Sequence, residues 1–251
     1  MKPITFTPML KRYVVNFILR ISIFIAILLT YLADKETLIR LTTQPIVSGI
    51  NLLHLLWVLL MGIMITHLIP IKTLTMGARK SRKETYVNNE GYSDYRLLQY
   101  VQRQNIQAWD VMLVWLCFNA CFGLLYLFHI IGAAELILLT CFYFLSDYIC
   151  ILLFCPFQTV IMKNKCCVNC RIYDWGHFMM FTPMLFIRNF FSWSLFFMSV
   201  VVLIHWEMIY AKHPERFWEG SNKILQCRHC KDKSCQLKNN LKRATKKMGA
   251  H

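Results

Sequence analysis

Long apolar runs constrain this chain more than any other feature. They are Tyr13 to Ala33, Ile46 to Ile71, Trp109 to Ile131, Ala133 to Phe157 and Phe178 to Tyr210. An α-helix rises about 1.5 Å per residue, so roughly twenty apolar residues cross a hydrocarbon core about 30 Å thick. The chain has 251 residues, 57% of them hydrophobic and only 16% charged, where a soluble protein carries about a quarter of its residues as charges. One soluble core of this length would not enclose so much apolar side chain. The expected fold is all-α, a polytopic helical membrane protein with a small cysteine-rich cytoplasmic region. The run after Lys11 and Arg12 has no small-residue cleavage site, so it reads as a retained span that starts inside.

The organisation follows from where the runs stop. Residues 1–157 read as a four-helix transmembrane region with a basic cytoplasmic loop at 72–107. Residues 158–177 form a cysteine-containing loop, 178–210 an interfacial, re-entrant or fifth transmembrane segment, and 211–251 a basic cysteine-rich tail. The formal net charge is +15. In a soluble protein that excess would suggest nucleic acid, but here the Lys and Arg lie between and after apolar segments, where the positive-inside rule places them on the cytoplasmic side. The partners expected are membrane lipids, including anionic headgroups, with room for a protein partner; nucleic acid is not expected. The chain thus reads as a multi-pass protein of the cell membrane, with the N-terminus and the cysteine clusters cytoplasmic.

Polar residues inside the runs are the first candidates for function. His54 and His67 lie thirteen residues apart, which at about 100° per residue keeps them off a common helix face and argues against a shared haem. Asp147, between Ser146 and Tyr148, would be costly in a bilayer without a partner. A proton or ion role and a hydrogen bond to Arg20, His54 or a tyrosine are the alternatives. His205-Trp206-Glu207 and His213-Pro214-Glu215-Arg216 close the last run, and His177 would join His205 or His213 in space. No H-E-x-x-H pattern, phosphate-cradling glycine loop or serine-nucleophile elbow occurs. Catalytic residues are not identified.

Two cysteine groups carry the sharpest expectation. Cys166, Cys167 and Cys170 precede the last apolar run, and Cys227, Cys230 and Cys235 follow it. Cys167, Cys170, Cys227 and Cys230 have the spacing of two metal knuckles, with Cys166 and Cys235 as alternates. The reading is a cytoplasmic metal site of four cysteines, with zinc as its metal, holding the tail to the helical body as a scaffold or partner-binding module. The alternative is a membrane redox protein passing electrons through iron or an iron–sulfur cluster on the same cysteines. A third option, thiol–disulfide cycling, would need the tail outside.

A shared site makes the last run decisive. If Phe178 to Tyr210 crosses once, the two cysteine groups lie on opposite sides. If Phe178 to Asn189 lies at the interface or dips in and returns, they meet. An internal echo pulls the other way. Phe6-Thr7-Pro8-Met9-Leu10 recurs as Phe181-Thr182-Pro183-Met184-Leu185, and Thr followed by Pro is a helix-start signal. Two similar starts at one interface would favour a fifth crossing.

Overall fold

The structure is a computed structural model that describes residues 7–43, 45–47, 50–69, 83–164, 166–167, 169–230, 235, 238 and 240. Its helices are α1 (Pro8–Ala33), α2 (Lys35–Thr43), α3 (Leu52–Leu68), α4 (Asp94–Leu127), α5 (Ala133–Leu152), α6 (Gly176–Phe181) and α7 (Phe190–Lys212). A two-stranded antiparallel ribbon, β1 (Pro45–Val47) with β2 (Ile50–Asn51), joins α2 to α3. The basic run Arg79 to Lys83 lies outside the described residues except for Lys83.

Helices α1, α4, α5 and α7 are long and apolar enough to cross a membrane, and α3 is a shorter apolar helix. Their outer faces expose large apolar side chains: Val15, Leu29 and Leu32 on α1, Val58 and Leu59 on α3, Leu113 and Leu124 on α4. Water would penalise such a surface, whereas lipid matches it. The described fold is therefore all-α apart from the short ribbon, with several helices of membrane-spanning length.

Local sequence chemistry sets the helix ends. The Thr7 hydroxyl accepts from Leu10 N at 3.2 Å with Pro8 opening α1, which satisfies a donor that the first turn leaves unpaired. Ser93 accepts from Arg96 N at 3.3 Å and starts α4 well before its apolar part. The expected span from Trp109 is thus the second half of a 34-residue helix. Glu135 accepts from Gly132 N at 2.8 Å at the head of α5. The same carboxylate takes Tyr31 Oη at 2.8 Å and Lys35 Nζ at 2.6 Å, binding α1 and α2 to α5 at that end of the bundle.

The segment after the cysteine loop takes two legs, one irregular and one a long helix. A 3-10 turn at Tyr173–Trp175 leads into α6, and Thr182–Phe186 continues as 3-10 helix. This leg runs up against α4 and α5 until Phe186 packs beneath Gly123, near the far end of α4. The chain turns at residues 187–189, Asn189 accepts from Phe191 N at 3.3 Å, and α7 runs back. Near the start of α7, Ser194 accepts from Trp57 Nε1 at 2.7 Å. Near its end, Glu207 binds Arg171 beside the cysteine loop. Residues before and after the run 178–210 therefore lie at one end of the bundle. Asn169 Nδ2 donates to Leu225 O at 3.0 Å across that end.

The core gathers around Trp115. Its Nε1 donates to Thr182 Oγ1 at 3.0 Å, and its carbonyl accepts from Asn119 Nδ2 at 3.0 Å. Tyr143 Oη completes the buried set by donating to Asn119 Oδ1 at 3.2 Å. Pairing every one of these groups avoids the cost of a bare polar atom at this depth.

Candidate functional site

Where α5 ends, the chain adopts an irregular path that builds a site. Pro156 removes a backbone donor, and Phe157–Ile161 form a π-helical turn, a feature found mostly as a local bulge at functional sites. The turn directs the buried Gln158 side chain inward. Gln158 Nε2 donates to Asn164 O at 2.7 Å, and Cys155 Sγ accepts from Gln158 N at 3.4 Å. The Cys167 thiol donates to Gln158 Oε1 at 2.6 Å, with the Cys150 carbonyl at 3.1 Å. Lys238 arrives from the tail; its Nζ donates to Cys150 O at 2.5 Å, Cys167 Sγ at 2.8 Å and Gln158 Oε1 at 3.1 Å. Three acceptors around one ammonium make this a docking point for the tail.

These groups form one end of a cavity of about 430 Å³ between α4, α5 and α6. Its walls are mostly apolar: Trp115, Phe118, Phe142, Phe154, Met179 and Met180. Polar groups are fewer: Ser146, Asp147 and Tyr143 along α5, Tyr173 and Cys170 from the cysteine loop, and Gln158 with the thiols of Cys150, Cys155 and Cys167 at the tail end. The Cys150 thiol beside it, together with burial, pushes the Cys155 thiol up to about 12. Cys167 is raised further by the Cys155 thiol and burial, against the opposing Lys238 charge. Cys155 and Cys167 accordingly face the cavity as neutral thiols.

Asp147 is held by Arg20. Arg20 Nη1 donates to Asp147 Oδ2 at 2.9 Å and to Phe144 O at 2.5 Å. The guanidinium lies between two rings, 3.9 Å from the Phe144 centroid and 4.0 Å from that of Tyr148. Neighbouring Asn16 Nδ2 donates to Tyr148 Oη at 3.0 Å. A paired, aromatic-sandwiched arginine is how a helix carries charge at this depth. Of the two alternatives for Asp147, the structure shows the bond to Arg20. The backbone of Gly176 lies directly against this carboxylate; a Cβ there would sit 3.3 Å from Asp147 Oδ1.

The cysteine expectation needs correction. Among the described residues, no group of three or more His, Cys, Asp or Glu side chains is arranged to hold a metal ion. The zinc site, the iron or iron–sulfur alternative, the scaffold held by metal and the electron-transport reading built on it all fall with that finding. The physical reason lies in side-chain direction. Cys167 and Cys170 are buried and line the bundle cavity, whereas Cys227 is exposed and Cys230 half-buried on the tail. A metal also needs thiolates, and Cys167 is held as a neutral, hydrogen-bonded thiol. The alternates are half-buried: Cys166 in the loop and Cys235 in the tail. Burial first, then the nearby Cys166, Cys230 and Cys227 sulfurs, raise the Cys235 thiol. The two groups share one end of the molecule, but Lys238, not a metal, joins the tail to Cys167.

The histidines disperse. The backbone N–H of Asn51 donates to His54 Nδ1 at 3.4 Å, and the His54 ring meets Phe191. The His67 ring packs on His177 with centroids 4.6 Å apart, so His177 joins neither His205 nor His213. His205 packs against Trp206, and His213 Nδ1 lies 3.3 Å from Glu215. Glu207 instead receives both Arg171 Nη atoms and Trp175 Nε1, the last at 2.7 Å. Lys238 and Gln158 had no sequence signal beyond the charge of the tail and the proline that starts the π turn.

Comparison with known proteins adds no likeness: no family model matches the chain, and neither the curated proteins nor the solved structures yield a match.

Proposed function

We propose that this chain is a multi-pass membrane protein that draws a lipid-like, largely apolar molecule from the bilayer into the cavity between α4, α5 and α6. The observation that carries the reading is the wall composition. An aromatic and aliphatic chamber of about 430 Å³ ends in Gln158 and the thiols of Cys150, Cys155 and Cys167, the pattern of a site that takes an apolar body and orients one polar end. The volume lies within the usual range for small-molecule sites, about 300–1,000 Å³. On this reading the bilayer is the source of the ligand, and the Phe118, Phe142 and Met180 side chains contact its chain. The polar end meets Gln158 and Cys155.

The N-terminus and both cysteine groups face the cytoplasm in this proposal, and the basic loop at 72–107 and the tail contact anionic headgroups. Lys11 and Arg12 in the first turns of α1 and the Lys and Arg of the tail support that orientation. A protein partner would meet the same cytoplasmic end.

The test is direct binding. Purified protein in detergent is titrated with a radiolabelled long-chain alcohol and the retained ligand is counted. Wild type retains it saturably, and Met180→Trp, which fills the chamber, retains markedly less. Equal retention by the two proteins would overturn the reading.

A further inference from the structure

A second cavity, of about 530 Å³, lies between α4 and α7. One face of α4 supplies Asn105, Trp109 and Met112, about one helical turn apart, and α7 supplies Leu203 and Glu207 at the same spacing. Glu207 has 34% of its side chain exposed and its partner Arg171 only 7%. The charged group that faces the cavity is therefore the carboxylate.

This wall is electrically balanced. Arg171 donates to Glu207 through both Nη atoms, and Trp175 Nε1 donates to Glu207 Oε1 at 2.7 Å. With its charge matched, the carboxylate has no excess to offer a cation, and the guanidinium is closed away from an anion. An ionised carboxylate has about four lone-pair sites. Three are used here, so Oε2 keeps room for one neutral donor. Asn105 adds to that capacity. It is half-buried on the cavity wall, and its amide makes no side-chain hydrogen bond among the described residues. An amide carries two donors and an acceptor, which a bound molecule would satisfy.

The rim supplies the third element. Trp109 is 68% exposed where α4 enters its apolar half, and tryptophan in that position marks headgroup depth. Beyond it, Ile204 and Leu113 expose apolar surface along α7 and α4. A carboxylate with one open lone pair, a free amide and a bare indole face together suit an uncharged group with many hydroxyls and an apolar C–H face. We infer that this cavity takes the sugar head of a neutral glycolipid. Its hydroxyls donate to Glu207 Oε2 and exchange hydrogen bonds with the Asn105 amide, its C–H face lies on Trp109, and its acyl chains follow Met112 and Ile204 into the bilayer. The site is separate from the thiol-ended cavity, so either assignment stands without the other.

The probe is glucosyl diacylglycerol. Protein purified in a polyoxyethylene detergent, which has no sugar head, is titrated with it, and bound lipid is counted by native mass spectrometry. Wild type binds it far more tightly than diacylglycerol, which lacks the sugar, and than phosphatidylglycerol, which carries an anionic head instead. Asn105→Leu removes an amide that holds no other side chain, and Trp109→Leu removes an exposed indole. Neither touches the pair of Arg171 and Glu207, so thermal stability without lipid matches that of wild type. Each lowers the affinity for glucosyl diacylglycerol about fivefold, the value of one neutral hydrogen bond or one ring contact. Unchanged affinity in either variant would overturn the assignment. Equal binding of diacylglycerol, or of phosphatidylglycerol, by wild type would overturn it as well.

Discussion

At the residue scale, the neutral thiols tie stability to pH. Cys155 holds its proton up to about 12 and Cys167 is displaced in the same direction, while an unfolded cysteine titrates near 8.5. Between these values the unfolded chain binds fewer protons at these thiols than the folded one, so their contribution to stability is constant below about pH 8.5 and is lost as pH rises above it. Each thiol contributes a slope of about 1.4 kcal/mol per pH unit. Thermal unfolding of the detergent-solubilised protein between pH 7 and 10 should show that decline, and Cys155→Ala should flatten it. Parallel curves for the two proteins would contradict the assignment. Residue types alone reveal part of this site. A charged residue within an apolar run demands a partner, and Arg20 is among those the sequence offers Asp147. The C-x-x-C spacing misleads because it reports how far the chain reaches and not where each sulfur points. Cys167 turns inward to Gln158, while Cys166 is one of three cysteines whose charge acts on Cys235.

At the element scale, the repeated pentapeptide shows how far local signals reach. Thr7 caps α1 as Thr-Pro predicts. Thr182 instead donates to Phe178 O at 2.8 Å and accepts from Trp115, because α6 already precedes it and a buried indole needs an acceptor. The second Thr-Pro therefore marks a switch to 3-10 winding inside a leg that dips into the bundle. The expectation that 178–189 lies at the interface or dips in and returns rests on charge and cysteine placement; in the fold the stretch to Phe186 runs one way and α7 runs back. Gly123 allows the leg its closest approach. A Cβ there would run into the Phe186 ring, so Gly123→Ala should cost about 1–3 kcal/mol through overpacking. Adding Phe186→Leu should recover part of that loss in thermal unfolding. Strictly additive losses would show that the two residues do not share this contact.

At the scale of the whole molecule, apolar run lengths are enough to establish an all-α chain with helices of membrane-spanning length. They do not reveal the cavity, because a cavity depends on which faces of α4, α5 and α6 fail to meet, and hydropathy alone does not encode that. Nor do they reveal that a tail lysine bonds to the Cys150 carbonyl, Gln158 and Cys167. Lys238, the cysteine loop and the thiol end of the cavity thus meet at one end of the bundle. The central claim is that a bilayer-derived molecule occupies this chamber. Photo-crosslinking with a long-chain alcohol carrying a diazirine along its chain, followed by peptide mapping, tests it most directly. The account predicts adducts on the cavity-lining residues Tyr143, Met179 and Met180, lost in Met180→Trp. Adducts confined to outward-facing residues such as Val15 and Leu29, and unchanged in that variant, would contradict it.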